Sequence, residues 1–193
     1  MIERSPERDA AVLAALPYVP RLGWTEAALE SGLRDLGENP AAHRWLFPRG
    51  PVGAVEAWID LIDRRMEATA AQEDLAALRI PARIRRLVAI RLELLEPQRD
   101  SLRRALALLV LPWNAAVAAR SLARTADALW AAAGDRSADF SWYTRRASLG
   151  ALYLATLAYW LREPGGIGEA LDFLDRRMAG MSRGRRPRPT EAA

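Results

Sequence analysis

Gly134-Asp135-Arg136-Ser137-Ala138-Asp139-Phe140-Ser141-Trp142-Tyr143-Thr144-Arg145-Arg146 is a polar, aromatic-rich joint between two long apolar patterns of helical period. Gly134 follows Ala131, Ala132 and Ala133, so it suits the left-handed residue that closes a helix, and Asp139 or Ser141 can cap the next one. Upstream, Leu122, Thr125, Ala126, Leu129 and Ala133 fall on one helical face, with Asp127 and Trp130 a turn apart near another. Downstream, Leu149, Leu152, Tyr153, Thr156, Leu157 and Trp160 make a wide apolar surface before Glu163-Pro164-Gly165-Gly166 breaks the chain. Two long helices meeting at a tight corner predict an all-α bundle. Small residues fill much of both, and they either let the helices approach closely or leave a cavity between them.

Working outward, Ala105 to Val110 leads into Leu111-Pro112-Trp113-Asn114 and on to Ala119. This run is too short and too broken to span a bilayer, which takes roughly 18 apolar residues, so it predicts a helix buried on nearly all sides, with Pro112 starting or kinking one. Further back, Pro81 stands at a first helical position, and Ile84, Leu87, Val88 and Leu92 form an apolar stripe. Arg83, Arg85 and Arg86 lie beside it, as a solvated face or as a contact for phospholipid or a partner.

The first third predicts three short helices and a longer one. A helix from Arg8 to Leu16 is interrupted by Pro17 and Pro20; Thr25 caps Glu26 to Leu36, which ends at Gly37; a short turn follows Asn39-Pro40. The longer helix carries Val55, Trp58, Ile59, Ile62 and Met66 on one face. At the other end, Leu171, Leu174, Met178 and Met181 share a face with Phe173 beside it, before a basic, proline-containing tail from Ser182 that is predicted to be disordered. That last helix suits a membrane surface, where apolar burial and attraction to anionic lipid reinforce each other, or it packs on the core. The segments are therefore 1–68, a helix-turn-helix-like region; 69–164, a bundle; 165–181, an amphipathic helix; and 182–193, the tail.

The 193 residues fit one domain, or a small one joined to a slightly larger one. There is no cysteine and one histidine, His43, which excludes disulfide scaffolds, thiolate metal sites and histidine clusters. All 28 basic residues are arginine, and with the high alanine content this suggests a GC-rich, bacterial coding sequence. Residues 1–9 are polar and acidic rather than a signal peptide, so the expected location is cytoplasmic, peripheral to a bacterial inner membrane. The net charge of +4 is unevenly spread: residues 1–68 are net acidic, 69–130 net basic, and the tail basic. No glycine-rich phosphate loop, His-Glu-x-x-His or Glu-x-x-His pair occurs. The pairs Asp60 with Asp63 and Asp172 with Asp175 lack histidines and read as solvated faces, and His43 reads as structural or exposed. No catalytic residue, metal or cofactor is expected, and the chain is not read as an enzyme.

Gly23-Trp24 and Trp45-Leu46-Phe47-Pro48 resemble the DNA-binding module of TetR-type regulators. A working recognition helix presents basic and small polar groups, whereas this region is acidic and offers Ala41, Ala42, His43 and Arg44. An inherited scaffold without nucleic-acid binding is expected; the alternative is a TetR-type transcriptional regulator sensing a hydrophobic ligand.

Thr125-x-Asp127-x-x-Trp130-x-x-x-Gly134-Asp135-x-Ser137-x-Asp139-Phe140-x-Trp142-Tyr143-Thr144-Arg145-Arg146 is similar to the signature of the coenzyme Q biosynthesis accessory proteins, the lipid-binding "protein nine" family. Gly23-Trp24-Thr25, Leu46-Phe47-Pro48, Leu111-Pro112-x-Asn114 and Phe173-Leu174-Asp175-Arg176-Arg177 extend the resemblance over nearly the whole chain. It implies a TetR-like fold, a homodimer, and an apolar pocket for ubiquinone intermediates or phospholipid. It also implies assistance to the di-iron demethoxyubiquinone hydroxylase, and a terminal helix at the membrane. Carried over, hydroxylase docking falls on Asp127 and Trp130 and extends to Leu111, Pro112 and Asn114; otherwise Trp130 is core and Asp127 bonds to Arg124 or Thr125. The lipid-binding expectation comprises Leu106, Leu109, Val110 and Trp113 with Leu149, Leu152, Tyr153 and Thr156, the last two as polar groups for a ligand head. The membrane expectation comprises Leu171, Phe173, Leu174, Arg177, Met178 and Met181.

Overall fold

Pro6, Pro20, Pro51 and Pro81 each stand in the first turn of a helix, where a missing N–H costs nothing. The computed structural model describes residues 3–134, 141–162 and 165–183, without the side chains of 141–145 and 181–183. Its helices are α1 (Pro6–Ala15), α2 (Val19–Leu22), α3 (Glu26–Asp35), α4 (His43–Leu46), α5 (Pro51–Ala70), α6 (Ile80–Leu95), α7 (Arg99–Leu109), α8 (Ala115–Ala132), α9 (Ser141–Arg162) and α10 (Gly166–Arg183). No strand occurs among the described residues, in agreement with the helical periodicity. Thr25 caps α3 as expected, its hydroxyl accepting from the Ala28 N–H at 3.3 Å. Gly134, just beyond α8, has φ of 79°, the left-handed closing geometry predicted for it. The remainder of the joint, residues 135–140 with Asp139, and the Ser141 side chain lie outside the described residues.

The N-terminal helices form a small unit in which α1 packs on α3 and also on α5. A Cβ on Gly32 would lie 2.5 Å from the Ala15 nitrogen, so α1 and α3 meet backbone to backbone. In the helix-turn-helix position, α4 is only four residues long. His43 within it is buried, its Nδ1 2.9 Å from the Pro40 carbonyl, so this histidine is structural. In the larger part, α5 packs on α6 and α8, α8 pairs with α9, and α10 lies on α9 and α6. At Pro112 the chain takes a 3-10 turn, Pro112–Asn114, and bends by 96° between residues 80–109 and 112–132. No single helix among the described residues is long and apolar enough to cross a membrane.

Being central, α5 is covered on its polar flank as well as its apolar face. Glu56, Asp60 and Asp63 recur along it at helical spacing, and all three are buried. This corrects the expectation of a solvated face for Asp60 and Asp63: periodicity places them together, but the packing of α1, α6 and α8 takes them from water. Each is met by arginine. Arg4 and Arg64 donate to Asp60 at 2.8 and 3.0 Å, Arg124 donates to Glu56 at 2.9 Å alongside Arg49, and Arg91 pairs with Asp63. Asp172 is exposed, as expected, and Asp175 is half-buried; both pair with Arg85. The arginines beside the α6 stripe are committed within the molecule: Arg83 donates to the Ala133 and Leu78 carbonyls, Arg85 to Asp175 and Arg86 to Glu73.

Burial raises the pKa of all three α5 carboxyls, but for Glu56 and Asp60 the arginines outweigh it and the carboxyls fall below their usual range. For Asp63 burial prevails over Arg91 and Thr125, and its carboxyl is pushed up to about 6. The folded state therefore holds the Asp63 proton up to about pH 6, while the unfolded chain releases it near 3.8. Its contribution to stability is full below the lower value and declines as pH rises through the upper. The melting temperature of Asp63→Asn relative to the parent is expected to rise from pH 4 to pH 6 and then level off. A difference independent of pH across that window would contradict the raised carboxyl.

Candidate functional site

Helices α5 to α9 enclose a cavity of about 370 Å³. Its walls are almost wholly apolar: Ile62 from α5, Leu95 from α6, Leu102 and Leu106 from α7, Leu122 from α8 and Leu157 from α9. The space exists because the Pro112 corner turns α8 away from α7, and Ala118 and Ala119 do not refill it. Val110 and Leu154 also line it and are 79% and 42% exposed, which marks its mouth.

Of the residues expected to bind lipid, Leu106, Leu109, Val110 and Tyr153 line this cavity. Leu149 and Leu152 are buried in the core outside it, and Trp113 is 77% exposed at the corner. Thr156 is fully buried away from the cavity, its hydroxyl donating to the Leu152 carbonyl at 2.9 Å, so it is spent on its own helix. On α9 the cavity face is 153, 154 and 157. Helical period makes 149, 152 and 156 apolar too, because they pack against other helices, and it does not say which neighbour each meets.

The polar part of the wall is a buried network centred on Arg91. Its Nε donates to the Tyr153 hydroxyl at 2.7 Å, its Nη2 to Thr125 Oγ1 at 3.3 Å, and its Nη1 to Asp63; Thr125 in turn donates to Asp63 at 3.1 Å. Burial raises the Tyr153 phenol further above 10 despite Arg91, so it keeps its proton at neutral pH. Burial works against the Arg91 charge, but Asp63 and Tyr153 outweigh it. The expected lipid-binding residues include neither Arg91 nor Asp63 nor Thr125. One signal could have found Arg91: it is a lone cation inside Val88-Ala89-Ile90-Arg91-Leu92, on a helix whose other arginines flank the stripe.

At the corner, Asn114 is buried and its amide donates to the Leu108 carbonyl at 2.9 Å, which ties the turn together rather than offering a contact. Leu111 is half-buried and Pro112 exposed. Asp127 accepts from Arg146 Nε at 2.5 Å, not from Arg124, which serves Glu56, nor from Thr125, which serves Asp63. Trp130 is half-buried, packed against the core, with an indole N–H that meets no acceptor among the described residues. On α10, Leu171 and Leu174 face the bundle rather than outward, because the helix lays its apolar stripe on α9 and α6. Phe173 stacks on Tyr159 with ring centroids 4.6 Å apart, Arg177 lies over the Phe173 ring, and Met178 is half-buried. The Met181 side chain lies outside the described residues.

The family model COQ9 matches residues 115–184, which span α8, α9 and α10. The mitochondrial ubiquinone biosynthesis protein COQ9 of Homo sapiens is 33% identical over 150 residues, covering 74% of this chain and 47% of its own length. That of Rattus norvegicus is 31% identical over 173 residues, covering 86% and 55%. That of Schizosaccharomyces pombe is 32% identical over 152 residues, covering 77% and 59%. The chain thus spans about half the length of the curated relatives it matches. Among solved structures, the TetR transcriptional regulator from Nitrosomonas europaea aligns with a TM-score of 0.73 at 23% identity, covering 93% of this chain and 99% of that one, which shows a shared TetR-like all-helical fold. With the family model over α8 to α10 and relatives above 30% identity along three quarters of its length, the chain belongs to the COQ9 family, whose members act in ubiquinone biosynthesis.

Proposed function

We propose that the protein is a non-enzymatic accessory factor of ubiquinone biosynthesis that holds a prenylquinone intermediate in its cavity and presents it to the demethoxyubiquinone hydroxylase at a membrane surface. The observation that carries this reading is the apolar cavity of about 370 Å³ with one buried polar network, centred on Arg91, in its wall. Ligand pockets run from roughly 300 to 1,000 Å³, so this one has room for a ring and the start of a chain, with the rest of a prenyl tail leaving past Val110 and Leu154. An apolar wall is what a hydrocarbon tail needs, since moving it from bilayer to protein gains little hydrophobic free energy and shape and polar contacts must select it. Nucleic-acid binding is not part of the proposal: the helix-turn-helix position holds a four-residue helix with a buried histidine in an acidic region.

Hydroxylase docking is assigned to the Asp127 and Trp130 surface, where a half-buried tryptophan beside a carboxylate already paired with Arg146 makes an anchor of the hot-spot kind. Membrane contact is assigned to the outer side of α10, through the exposed Arg176 and Arg177, because Leu171 and Leu174 are occupied by the core and Phe173 stacks on Tyr159.

Solvent extraction of the purified protein followed by mass spectrometry is expected to return a prenylquinone or phospholipid, and extracts free of both overturn the lipid assignment. Trp130→Ala should weaken capture of the hydroxylase by about 30-fold, as loss of a hot-spot anchor does, with unchanged helical circular dichroism. Equal capture removes the docking assignment. Replacing Arg176 and Arg177 together by glutamate should lower flotation with anionic vesicles by about tenfold or more. If flotation is unaltered, the outer face of α10 is not the contact.

A further inference from the structure

The uncharged run from Ala105 to Ala119 is expected to be buried on nearly all sides, yet in the structure its middle is bare. Val110 is 79% and Trp113 77% exposed, and Pro112, Ala115 and Ala116 are exposed with them. Together they form the tip of the corner between α7 and α8. Besides Trp113, the one hydrogen-bonding side chain in the run is Asn114, which is buried with its amide spent on the Leu108 carbonyl. The side chains of the tip therefore offer hydrocarbon and a single indole, and a contiguous apolar surface of this kind marks a contact with a partner or a membrane. The two helices joined here are together apolar enough for a membrane segment but are bent by 96°, so a dip into one leaflet is open to them and a straight crossing is not.

Charge around the tip distinguishes the occupants. Residues 101–126 hold four arginines and no aspartate or glutamate. Arg104 donates to the Pro20 carbonyl and meets no carboxylate among the described residues, and Arg120 is 52% exposed, 3.8 Å from a Glu56 that Arg49 and Arg124 already hold. At a rise of 1.5 Å per residue these two arginines stand about 10 Å along their helices from Val110 and Trp113. An interfacial apolar element sinks roughly 5–10 Å below the headgroups, which leaves the arginines level with lipid phosphates and Trp113 in the layer tryptophan prefers. A second copy docked here by two-fold symmetry would bring the same basic, acid-free segment to both sides. We infer that the α7–α8 corner is a wedge that enters an anionic bilayer surface and opens the cavity into its hydrocarbon. Val110 belongs both to the tip and, with Leu154, to the mouth of the cavity. A prenyl lipid then passes from bilayer to cavity without exposing its chain to water. This rests on the lipid-binding reading above and adds the route of loading. Leu111 and Pro112 are thereby given to the membrane, and hydroxylase docking stays with Asp127 and Trp130.

Because the chain has no cysteine, Trp113→Cys and Trp45→Cys each give the full chain a single site for an environment-sensitive fluorophore, and Trp45, 61% exposed on α4, serves as the control. With vesicles of phosphatidylcholine and phosphatidylglycerol, the label at 113 is expected to shift to the blue and to be quenched about threefold or more by nitroxide lipid, while that at 45 stays as in water. Trp113 and Ala116 are exposed and do not line the cavity. Trp113→Asp with Ala116→Asp should therefore lower flotation with these vesicles, and the rate of uptake of a tetraprenyl benzoquinone from them, by about tenfold or more, with uptake from detergent micelles and helical circular dichroism unchanged. A label at 113 that stays in water overturns the wedge. So does one shielded by added hydroxylase and not by vesicles, which makes the corner a protein contact, or by rising protein concentration alone, which makes it a contact between copies. If the label enters the bilayer but the parent takes up no prenylquinone from micelles, the lipid reading and the loading route fail while the membrane contact stands.

Discussion

The pairing of three buried carboxylates on α5 with arginines from around it is the constraint on which the rest of the structure depends. Glu56, Asp60 and Asp63 lie along α5, which touches α1 of the N-terminal unit and α6 and α8 of the bundle, and their partners include arginines from the N-terminal segment, from α6 and from α8. Burying an ion pair costs desolvation that its Coulomb attraction repays only with good geometry, so these pairs are better understood as fixing arrangement than as adding stability. Arginine suits this work because its planar fork can donate to several acceptors at once while staying charged. Arg91 does so, serving Asp63, Thr125 and Tyr153 from a position that is 3% exposed.

The same network ties fold to function. Asp63 orients Arg91, Arg91 orients Tyr153, and Tyr153 stands in the wall of the cavity. The polar end of an otherwise hydrocarbon-lined space is therefore held by the element at the centre of the bundle rather than by a loop. The mouth is set by the corner at Pro112, where Asn114 closes the turn and Val110 and Trp113 are left exposed. Those exposed apolar side chains stand beside the mouth, on the same corner as Leu111 and Pro112.

Much of this was legible in the residues. Thr25, Gly37 and Gly134 mark helix ends by backbone chemistry that is local, and the structure has them in those roles. Leu157 and Trp160 belong to a stripe of helical period and are buried as that period requires. The cavity was only half legible. Leu106, Leu109, Val110 and Tyr153 were expected at it and line it, whereas Leu149, Leu152 and Thr156 share their hydrophobic pattern but face other helices. Carboxylates at helical spacing are usually solvated, and only the helices packed over Asp60 and Asp63 remove the water. On α10, the amphipathic stripe is legible in the sequence, but such a stripe suits a membrane or a core alike, and in this fold Leu171 and Leu174 are taken by the core.

The sequence by itself determined what depends on neighbours along the chain: the helices, their ends, the absence of cysteine and histidine chemistry, and the motif that marks the family. Tertiary structure decided what depends on neighbours across space: which apolar face encloses a cavity and which fills the core, which carboxylates lose water, and which arginine becomes the hub of a buried network. The physical reason is that helix formation is governed by contacts within about four residues, whereas the free energy of a charge or a hydrogen-bond donor is set by whatever surrounds it. Arg91 and Asp63 are 28 residues apart in the chain, Arg91 and Tyr153 are 62, and no local pattern links them.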